Sequence, residues 1–566
     1  MDSDKVLTLA KRRGFLWPSS EIYGGIAGFY DYGPLGSTMK RNIEDIWRRY
    51  YVLGEGFAEI SSTMISPEEV FVASGHVKEF LDFLVECTKC GEVFRADHMV
   101  RDFEPNADAL SAGELAAIID RENVVCLRCK GTLSSPKPFN LMFELGIGAG
   151  LKGGRKGYLR PETAQGIFTN FGLLYRHFRE KMPFGVVQIG RGFRNEISPR
   201  QGVIRLRELN MAEAELFIKS EDDSWPKYQE LSGEKLTLVP NEGEMVSISL
   251  GEAVEKGIIK KQVLGYFVAL TQKFLVDVGV DPEKLRFRQH LKDEMAHYAA
   301  DCWDAEAKTS FGWVELVGVA DRTCYDLQGH IDHSKQDLRA FERYEEATEV
   351  EKKKVIVKPE VLGPKFKKDA GKIKMALEGM NPEDLAGKDS VTVNVDGKNF
   401  EVEKDCFVLD TVKEKISGER YVPNVIEPSY GIDRIFYTVL EHAYHEEDDY
   451  VTLRLDSRIA PISVGVFPLM AKSELIDKAK PIDDKLRSKG IMTYYDESGS
   501  IGRRYARMDE VGTPFCITVD YDTLKDDGVT IRDRDTKEQA RVKITEILEV
   551  LGRLLEGKVA LVDLAI

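Results

Sequence analysis

Charged side chains are concentrated on either side of a turn signal at residues 198–202. Two runs with period-2 alternation flank this signal, a pattern that predicts an antiparallel hairpin with a long loop. Arg194 and Glu196 would share one face of the first strand, and Arg205 and Arg207 one face of the second. Such a basic and acidic surface suits a ligand that carries both phosphates and amino groups. The alternative is a solvated hairpin with cross-strand ion pairs.

Four of the eight cysteines form two Cys-x-x-Cys pairs, Cys87 with Cys90 and Cys126 with Cys129. Each pair places two thiols on one tight turn followed by a glycine, so that all four sulfurs can face one ion. This spacing predicts a closed, structural zinc site in a reducing compartment and is unlike a disulfide framework. The alternative is four unligated buried thiols.

Two further motifs place charge where a ligand could use it. Glu315 is the lone carboxylate inside an apolar run, so it needs a partner or a cation. Residues 427–434 place Gly431 at a predicted strand-to-helix turn and Arg434 on the first helical turn. A phosphate could approach the backbone there, beside the positive end of the helix.

Regular elements are predicted around these motifs. Apolar residues at three- and four-residue spacing predict an amphipathic helix over residues 36–53, followed by a strand at 57–60. The glycine- and lysine-rich residues 144–157 lack Gly-Lys-Ser/Thr and form no Walker P-loop; a plain surface loop and an RNA contact both stay open. Beyond about residue 458, strands alternate with helices, which predicts a separate mixed sheet.

Taken together, these motifs resemble those of the class II aminoacyl-tRNA synthetases. The residues before and after the hairpin loop resemble motif 2, the helix, strand and proline near the amino terminus resemble motif 1, and the glycine-arginine turn resembles motif 3. The sequence around these motifs is similar to that of the glycyl-tRNA synthetases of the archaeal and eukaryotic kind. The segments that carry the resemblance are 193–196 and 205–208 (motif 2), 36–67 (motif 1), 427–434 (motif 3), 160–166 and 211–213.

The resemblance implies an α+β fold. Its parts would be a class II synthetase core (an antiparallel sheet flanked by helices), a zinc-knuckle insertion, a lysine-rich insertion and a C-terminal α/β anticodon-binding domain. The expected boundaries are catalytic core 1–86 with motif 1, zinc-binding insertion 87–135, core 136–340 with motif 2, lysine-rich module 341–420, core 421–457 with motif 3, and anticodon-binding domain 458–566. The lysines of the insertion are either a solvated face or a contact with the tRNA backbone.

The activity implied is activation of glycine by ATP to glycyl-adenylate, followed by transfer to the 3′ end of tRNA(Gly). Arg194 and Arg434 are the implied catalytic residues, which would grip the α-phosphate and the terminal phosphate. Glu196 would read the adenine amino group, and Glu315 would hold Mg²⁺ with ATP. The implied ATP-binding set is Arg194, Asn195, Glu196, Arg205, Leu206, Arg207, Glu208, Leu209, Glu315, Leu316, Gly431, Ile432, Asp433 and Arg434.

Glycine selection would rest on an acidic ring that holds the ammonium group and leaves no volume for a methyl group. No proteinogenic competitor is smaller, so no editing domain should be needed. The implied glycine-binding set is Arg95, Glu162, Glu213, Glu427, Pro428 and Ser429. The implied tRNA contacts are Arg200, Arg503, Arg504 and Arg507.

Length and composition set outer limits. With 566 residues, the chain should hold three to four domains. A net charge of −16 argues against a protein that coats nucleic acid non-specifically, although a local basic face is allowed. No run approaches the ~18 apolar residues of a membrane span, and the acidic amino terminus resembles neither a secretory signal nor a transit peptide. We therefore expect a cytoplasmic protein and, from motif 1, a homodimer; the motif 1 helix could equally pack on its own domain.

Two other functions stay open. One is a catalytically inactive, synthetase-like nucleic-acid-binding protein. The other is a class II ligase for another small amino acid. The presence of Arg194, Glu196, Glu315 and Arg434 favours an enzyme, since a binding module has no need of them.

Overall fold

A computed structural model describes residues 3–104, 106–107, 110–149, 154–199, 202–291, 299–448 and 450–564. The chain divides into two compact units, one formed by Met1–Leu338 with Val422–Ile566 and the other by Arg339–Tyr421. Strands and helices are numbered along the chain. In the part of the chain that the structure describes, no helix is long and apolar enough to span a membrane.

A nine-stranded, mostly antiparallel sheet lies at the centre of the larger unit. Its strands, in spatial order, are β13 (Val246–Ser249), β12 (Lys235–Val239), β14 (Leu285–Gln289), β15 (Asp301–Thr309), β16 (Gly312–Thr323), β21 (Asn424–Gly431), β11 (Glu208–Ile218), β10 (Phe184–Phe193) and β3 (Ala58–Glu59). The pairs β12–β14 and β3–β10 are parallel. The sheet brings β11, β21 and β16 side by side, although they are far apart in sequence.

The predicted hairpin is confirmed as β10 and β11, with Val186 opposite Glu215. The prediction is wrong at the strand ends. β10 ends at Phe193 and β11 begins at Glu208, so the four charged residues predicted on the strands lie in the connection. The backbone there pairs with other groups: the Arg207 N–H donates to the carbonyl of Gly28, 2.8 Å away.

Helices cover the apolar side of the sheet. The predicted amphipathic helix is confirmed as α2 (Pro34–Arg48), which buries Met39, Ile43 and Trp47 and continues as a π-turn over Arg49–Gly54. The core also buries α11 (Gln262–Asp277) and α16 (Ile432–Ala443). The remaining helices of the central unit are α1 (Ser3–Arg13), α3 (Glu68–Ala73), α4 (His76–Glu79), α7 (Ala164–Phe168), α8 (Phe171–His177), α9 (Tyr228–Leu231), α10 (Leu250–Glu255) and α12 (Tyr325–Ser334).

Several two- and three-stranded sheets accompany the nine-stranded sheet in the larger unit. The cysteine-rich part forms a three-stranded sheet, with its own core around Val85, Phe94 and Leu115. It consists of β5 (Leu81–Glu86), β6 (Val93–Arg95) and β7 (Lys137–Asn140), with helices α5 (Ala96–Val100) and α6 (Ala112–Arg121). The other small sheets are β1 (Leu16–Pro18) with β2 (Tyr30–Tyr32), β4 (Ile65–Pro67) with β9 (Arg155–Leu159) and β8 (Glu144–Ile147), and β22 (Tyr444–Glu447) with β23 (Tyr450–Leu453).

The C-terminal region has the predicted α/β sheet of its own. Val466, Ile517 and Ile531 lie fully buried in its separate core. The strands in spatial order are β25 (Thr493–Tyr495), β24 (Val464–Pro468), β26 (Phe515–Val519), β27 (Gly528–Asp533) and β28 (Gln539–Lys543). The helices are α17 (Ser473–Ser488), α18 (Ile501–Glu510), α19 (Thr523–Asp526) and α20 (Ile547–Leu555).

The smaller unit is the lysine-rich module. A long antiparallel ribbon, β17 (Ala340–Val357) with β20 (Phe407–Tyr421), accompanies a hairpin of β18 (Ser390–Val395) and β19 (Lys398–Glu403). Helices α13 (Pro359–Phe366), α14 (Ala370–Glu378) and α15 (Pro382–Leu385) complete it. Lys365 pairs with Asp405 at 2.8 Å, and Lys372 pairs with Asp396. Acidic groups of the module itself therefore engage these lysines.

Candidate active site

Two adjoining cavities lie where β11, β16 and β21 run side by side. The larger has a volume of about 170 Å³ and the smaller about 70 Å³, and Arg194, Glu315 and Ser429 line both. Small residues opposite each other in the sheet help to form the space, since Gly318 pairs with Ser429. The larger cavity is also lined by Glu162, Glu213, Arg322 and Glu427, and the smaller by Leu209, Met211, Leu316, Gly431, Asp433 and Arg434.

A fully buried arginine, Arg322, organises the acidic end of the larger cavity. Its guanidinium donates to both oxygens of Glu427 at 2.9 Å and to both oxygens of Asp326 at 2.8 and 3.0 Å. A longer contact of 3.5 Å reaches Glu162. Sequence reasoning missed Arg322 and Asp326; a charged residue at the end of the apolar run of β16 was the available signal.

Glu162 has further partners that hold it in place. The side-chain amide of Gln165 donates to it at 2.9 Å, and the His76 ring lies 3.6 Å away. Burial opposes its ionisation, but the attraction of Arg322 and His76 is stronger and lowers the pKa of Glu162 below its usual range. Glu162 is therefore an anion at neutral pH.

Glu213 lies on β11 and receives hydrogen bonds from two sides. The backbone N–H and the hydroxyl of Thr163 donate to one oxygen, and the Ser429 hydroxyl donates to the other at 2.8 Å. The carboxylate is 1 % exposed, so these bonds fix its orientation inside the protein. This arrangement aims Glu213 at the cavity.

Glu215 follows two positions along the same strand and faces the same side of the sheet. It is fully buried, and neither carboxyl oxygen has a hydrogen-bond partner among the described residues. Burial and the nearby Glu427 raise the pKa of Glu215 well above its usual range. Burial, opposed by Arg322 and reinforced by Glu213 and Glu162, raises the pKa of Glu427 to about 8. Burial therefore favours the neutral form of Glu215, and Glu427 is mostly protonated at pH 7.

The other end of the cavities is basic. Arg194 donates to the Pro161 carbonyl at 3.3 Å and stacks over the Phe80 ring, 5.7 Å from its centroid. Arg434 donates to the Ile204 carbonyl at 3.1 Å and to the Glu315 carboxylate at 3.0 Å. Burial opposes ionisation of Glu315, but Arg434 and Arg194 lower its pKa. Arg434 thus pairs directly with Glu315, and both arginines favour its ionised form beside the amino-terminal end of α16.

The loop residues of the hairpin hold each other. Arg205 pairs with Glu196 at 3.2 Å and lies 3.3 Å from the His98 ring. Arg207 donates to the carbonyls of Glu196 and Ala27 at 2.8 and 2.7 Å, so its guanidinium ties the loop to the amino-terminal segment. The backbone N–H of Asn195 donates to the Leu141 carbonyl, and Leu206 is buried.

Several expected site residues are turned to other partners. Arg95 pairs with Asp82 at 2.8 Å and Asp97 at 3.0 Å in the cysteine-rich part and does not line the cavities. Glu208 pairs with Arg191 on the face of β11 opposite to Leu209.

Other members of the expected sets are held by the sheet and the core. Asp433 lies at the edge of the smaller cavity, but its carboxylate accepts hydrogen bonds from the Tyr32 hydroxyl and the Asn210 backbone. Ile432 is buried in the core, and Pro428 lies in β21 opposite Val319.

The four predicted zinc ligands come together. The Sγ atoms of Cys87 and Cys129 lie 3.4 Å apart and those of Cys90 and Cys126 lie 3.7 Å apart, and all four lie within 4.8 Å of one another. Tetrahedral Zn–S bonds of ~2.3 Å place sulfurs about 3.8 Å apart. The residues therefore fit a closed four-thiolate zinc site.

The three C-terminal arginines expected to contact tRNA differ in exposure and in their partners. Arg503 is exposed, and Arg507 pairs with Asp496. Arg504, also expected to contact tRNA, is fully buried and donates to the carbonyls of Pro468, Leu469, Asp496 and Gly499. Its guanidinium cannot reach RNA while it holds these groups. Arg200 lies outside the described residues.

The fold and the cavities define a class of protein. Residues 151–442 match the family model described as the tRNA synthetase class II core domain (G, H, P, S and T), and residues 459–554 match the anticodon binding domain. A prolyl-tRNA synthetase from Cryptosporidium parvum (10 % identity, TM-score 0.51) covers 98 % of this chain and 76 % of its own. One from Giardia lamblia (13 %, 0.53) covers 98 % and 79 %. The class is that of the class II aminoacyl-tRNA synthetases, as the motifs predicted.

The particular family follows from three archaeal relatives, each named glycine--tRNA ligase. The Methanothrix thermoacetophila relative is 53 % identical over 98 % of this chain and 97 % of its own. Those of Methanocaldococcus jannaschii and Archaeoglobus fulgidus are 50 % and 49 % identical, over 98 % and 99 % of this chain and 99 % and 98 % of their own. The chain belongs to the glycine--tRNA ligase family.

Proposed function

We propose that the protein activates glycine with ATP to form glycyl-adenylate and then transfers the glycyl group to the 3′ end of tRNA(Gly). One observation carries this proposal. Carboxyl groups in excess of the Arg322 charge line the larger of the two adjoining cavities, and Arg194 and Arg434 line the smaller. An α-amino acid and a nucleotide triphosphate have the complementary charges, ammonium at one end and phosphates at the other.

At the acidic end, Glu213 and Glu162 would attract the ammonium group, with Ser429 and Glu427 beside it. Pro428 and Arg95 are weaker candidates for glycine binding, because Pro428 lies in strand β21 opposite Val319 and Arg95 pairs with Asp82 and Asp97. The volume of about 170 Å³ must hold the whole amino acid and part of the nucleotide, so little room remains for a side chain. A filled wall can reject larger substrates strongly, which makes a second, editing site unnecessary.

At the basic end, Arg194 would hold the α-phosphate and Arg434 the terminal phosphate. Arg434 would exchange its bond to Glu315 for the phosphate, which frees Glu315 for Mg²⁺. When bound, Mg²⁺ neutralises charge on the phosphates. The protein's contribution is to position the glycine carboxylate for attack on the α-phosphate and to stabilise the developing charge. The rest of the implied ATP-binding set stays a prediction, with Glu196 reading the adenine.

Partners and cofactors complete the proposal. The four cysteines would hold a structural Zn²⁺, which stabilises the cysteine-rich part and leaves no open position for chemistry. Arg503 and Arg507 remain candidate tRNA contacts in the anticodon-binding domain. A homodimer built on α2 and a cytoplasmic location are expected by analogy with the class.

The direct test is exchange of labelled pyrophosphate into ATP, tried with each amino acid in turn. We expect exchange with glycine alone. Exchange driven equally by alanine or serine would support a ligase for another small amino acid. No exchange with any amino acid, from protein that binds tRNA, would support the inactive synthetase-like alternative.

Glu213 provides the sharpest variant. Replacing Glu213 by alanine should lower kcat/KM for glycine in pyrophosphate exchange by about 100-fold or more, because a buried charge partner of the ammonium is lost. The unfolding transition should change much less. An exposed residue just beyond β11, Glu221, provides the control Glu221→Ala, which should exchange normally. Near-wild-type exchange by Glu213→Ala would remove Glu213 from the glycine site.

A further inference from the structure

Three potential metal ligands line the larger cavity. They are His290, directly after β14, and Cys302 and Asp304 on β15. Cys302 and Asp304 are two positions apart and face the same side of the sheet. The backbone N–H of His290 donates to the Cys302 carbonyl at 3.0 Å, which continues the pairing of β14 with β15. The sheet therefore fixes the backbone at all three positions.

Their ligand atoms are gathered at one point. An imidazole nitrogen, a thiol sulfur and a carboxylate oxygen lie within 4.8 Å of one another. His290 Nε2 lies 2.7 Å from Asp304 Oδ2, and Cys302 Sγ lies 4.0 Å from Asp304 Oδ1. In a tetrahedral zinc site the ligand atoms stand about 3.3–3.8 Å apart. Small movements of these side chains would therefore suffice to enclose an ion.

Space for the ion comes from the neighbouring strand. Gly318 lies opposite Asp304 and Ala320 lies opposite Cys302 in the pairing of β15 with β16, and all four residues line the cavity. The other ring nitrogen of His290, Nδ1, is buried and has no hydrogen-bond partner among the described residues. The imidazole can thus turn toward an ion without breaking a bond at that nitrogen.

The ligand types select the metal. Thiolate and imidazole together favour a borderline ion such as Zn²⁺, whereas Mg²⁺ and Ca²⁺ prefer oxygen ligands. Three protein ligands leave one coordination position open. We propose that His290, Cys302 and Asp304 form a second zinc site, whose open position faces the cavity that lies between Glu213 and Glu315.

Charges around the site set its strength. Glu315 lines the same cavity and favours a cation, whereas Arg288 lies 3.6 Å from Asp304 and opposes one. Compared with the four-thiolate site, this site has one thiolate, three ligands and a nearby arginine. Its ion should exchange readily and be removed by a mild chelator, while the four-cysteine ion stays bound.

Occupancy has a consequence that rests on the proposed function. An ion at these ligands would take up part of a cavity of about 170 Å³ and bind the glycine carboxylate or a phosphate in the wrong place. The site would therefore make glycine activation sensitive to free zinc.

The first experiment counts metal in the full-length protein. Protein carrying one tightly bound Zn²⁺ is titrated with Zn²⁺ and analysed by native mass spectrometry, and separately with Co²⁺, whose thiolate complexes absorb in the near ultraviolet. We expect a second equivalent of either metal, with a cobalt–thiolate band. Cys302→Ala should lose that band and weaken the second site at least about tenfold. Cys516→Ala, which removes a buried thiol from the C-terminal sheet, should keep both. A single equivalent in the wild type, or an unchanged second equivalent in Cys302→Ala, overturns the proposal.

The second experiment measures pyrophosphate exchange with glycine while Zn²⁺ is raised. Zinc should inhibit the wild type and the Cys516→Ala variant, and Cys302→Ala should need at least about ten times more zinc. A second bound ion that leaves exchange unchanged contradicts the placement of its open position in the substrate cavity. Exchange that is absent even without added zinc is instead a failure of the proposed function, which the metal count does not depend on.

Discussion

Two fully buried arginines, Arg322 in the central sheet and Arg504 in the C-terminal domain, have opposite surroundings. Arg322 donates to the carboxyl groups of Glu427 and Asp326 and borders a cavity. Arg504 donates to four backbone carbonyls. Both guanidinium groups are hydrogen-bonded, as a buried charge requires, although Nε of Arg504 has no partner among the described residues.

The difference teaches how to separate a binding site from a structural contact. Around Arg504 the partners are neutral, and the arginine closes a turn of the domain. Around Arg322 the acids exceed the positive charge, so the group is balanced only by protons or by a cationic ligand. These acids are Glu162, Glu213, Glu215, Asp326 and Glu427. A surplus of buried charge that faces a cavity, more than burial itself, marks the ligand site.

The largest expected effect is on KM for glycine when Arg322 is replaced. Arg322→Lys keeps a cation but loses the forked hydrogen bonds to Glu427 and Asp326, so KM for glycine in pyrophosphate exchange should rise by about 10- to 100-fold. Arg504→Lys is the matched control. It should lower the free energy of unfolding by about 1–3 kcal/mol, because carbonyls lose their donor, and leave KM for glycine unchanged. Equal effects of the two variants on KM would contradict the distinction.

A smaller effect concerns pH. The pKa of Glu427 is raised to about 8, so the group is mostly protonated at pH 7 and becomes an anion as pH rises through 8. An anion attracts the glycine ammonium more strongly. We expect KM for glycine to fall by about five- to tenfold between pH 7 and pH 8.5, measured by pyrophosphate exchange at constant ionic strength. Glu427→Gln should have a flat profile over the same range; a flat profile in the wild type would show that Glu427 is already ionised at pH 7.

The smallest effect separates two glutamates on one strand. Burial and the nearby Glu427 raise the pKa of Glu215 well above its usual range and so favour its neutral form, which Glu215→Gln would preserve. KM for glycine should stay within about threefold, and the free energy of unfolding within about 1 kcal/mol. Glu213→Gln, two positions away, should impair glycine activation severely. A tenfold rise in KM for Glu215→Gln would mean that Glu215 is an anion that contacts the ammonium.

Much of the site could be predicted from local patterns. The paired cysteines, the hairpin and the amphipathic helix are each encoded within a few residues, where spacing and turn chemistry act directly. The sequence motifs around Arg194, Glu213 and Arg434 also indicated the family, which the similarity to glycine--tRNA ligases and to the class II core domain confirms. The roles of the individual site residues stay predictions.

What the sequence determined by itself was the set of elements and the identity of the reactive side chains. The tertiary structure alone decided which charged residues meet. Arg322 reaches Glu427 because β16 pairs with β21 across more than a hundred residues of sequence, and Asp433, at the edge of the smaller cavity, accepts a hydrogen bond from Tyr32. Arg504 likewise bonds to the carbonyls of Pro468 and Leu469, which lie 36 and 35 residues away in sequence. A sequence identifies a charged residue but not its partners. The partners and the pKa values depend on long-range strand pairing and burial, which local spacing does not encode.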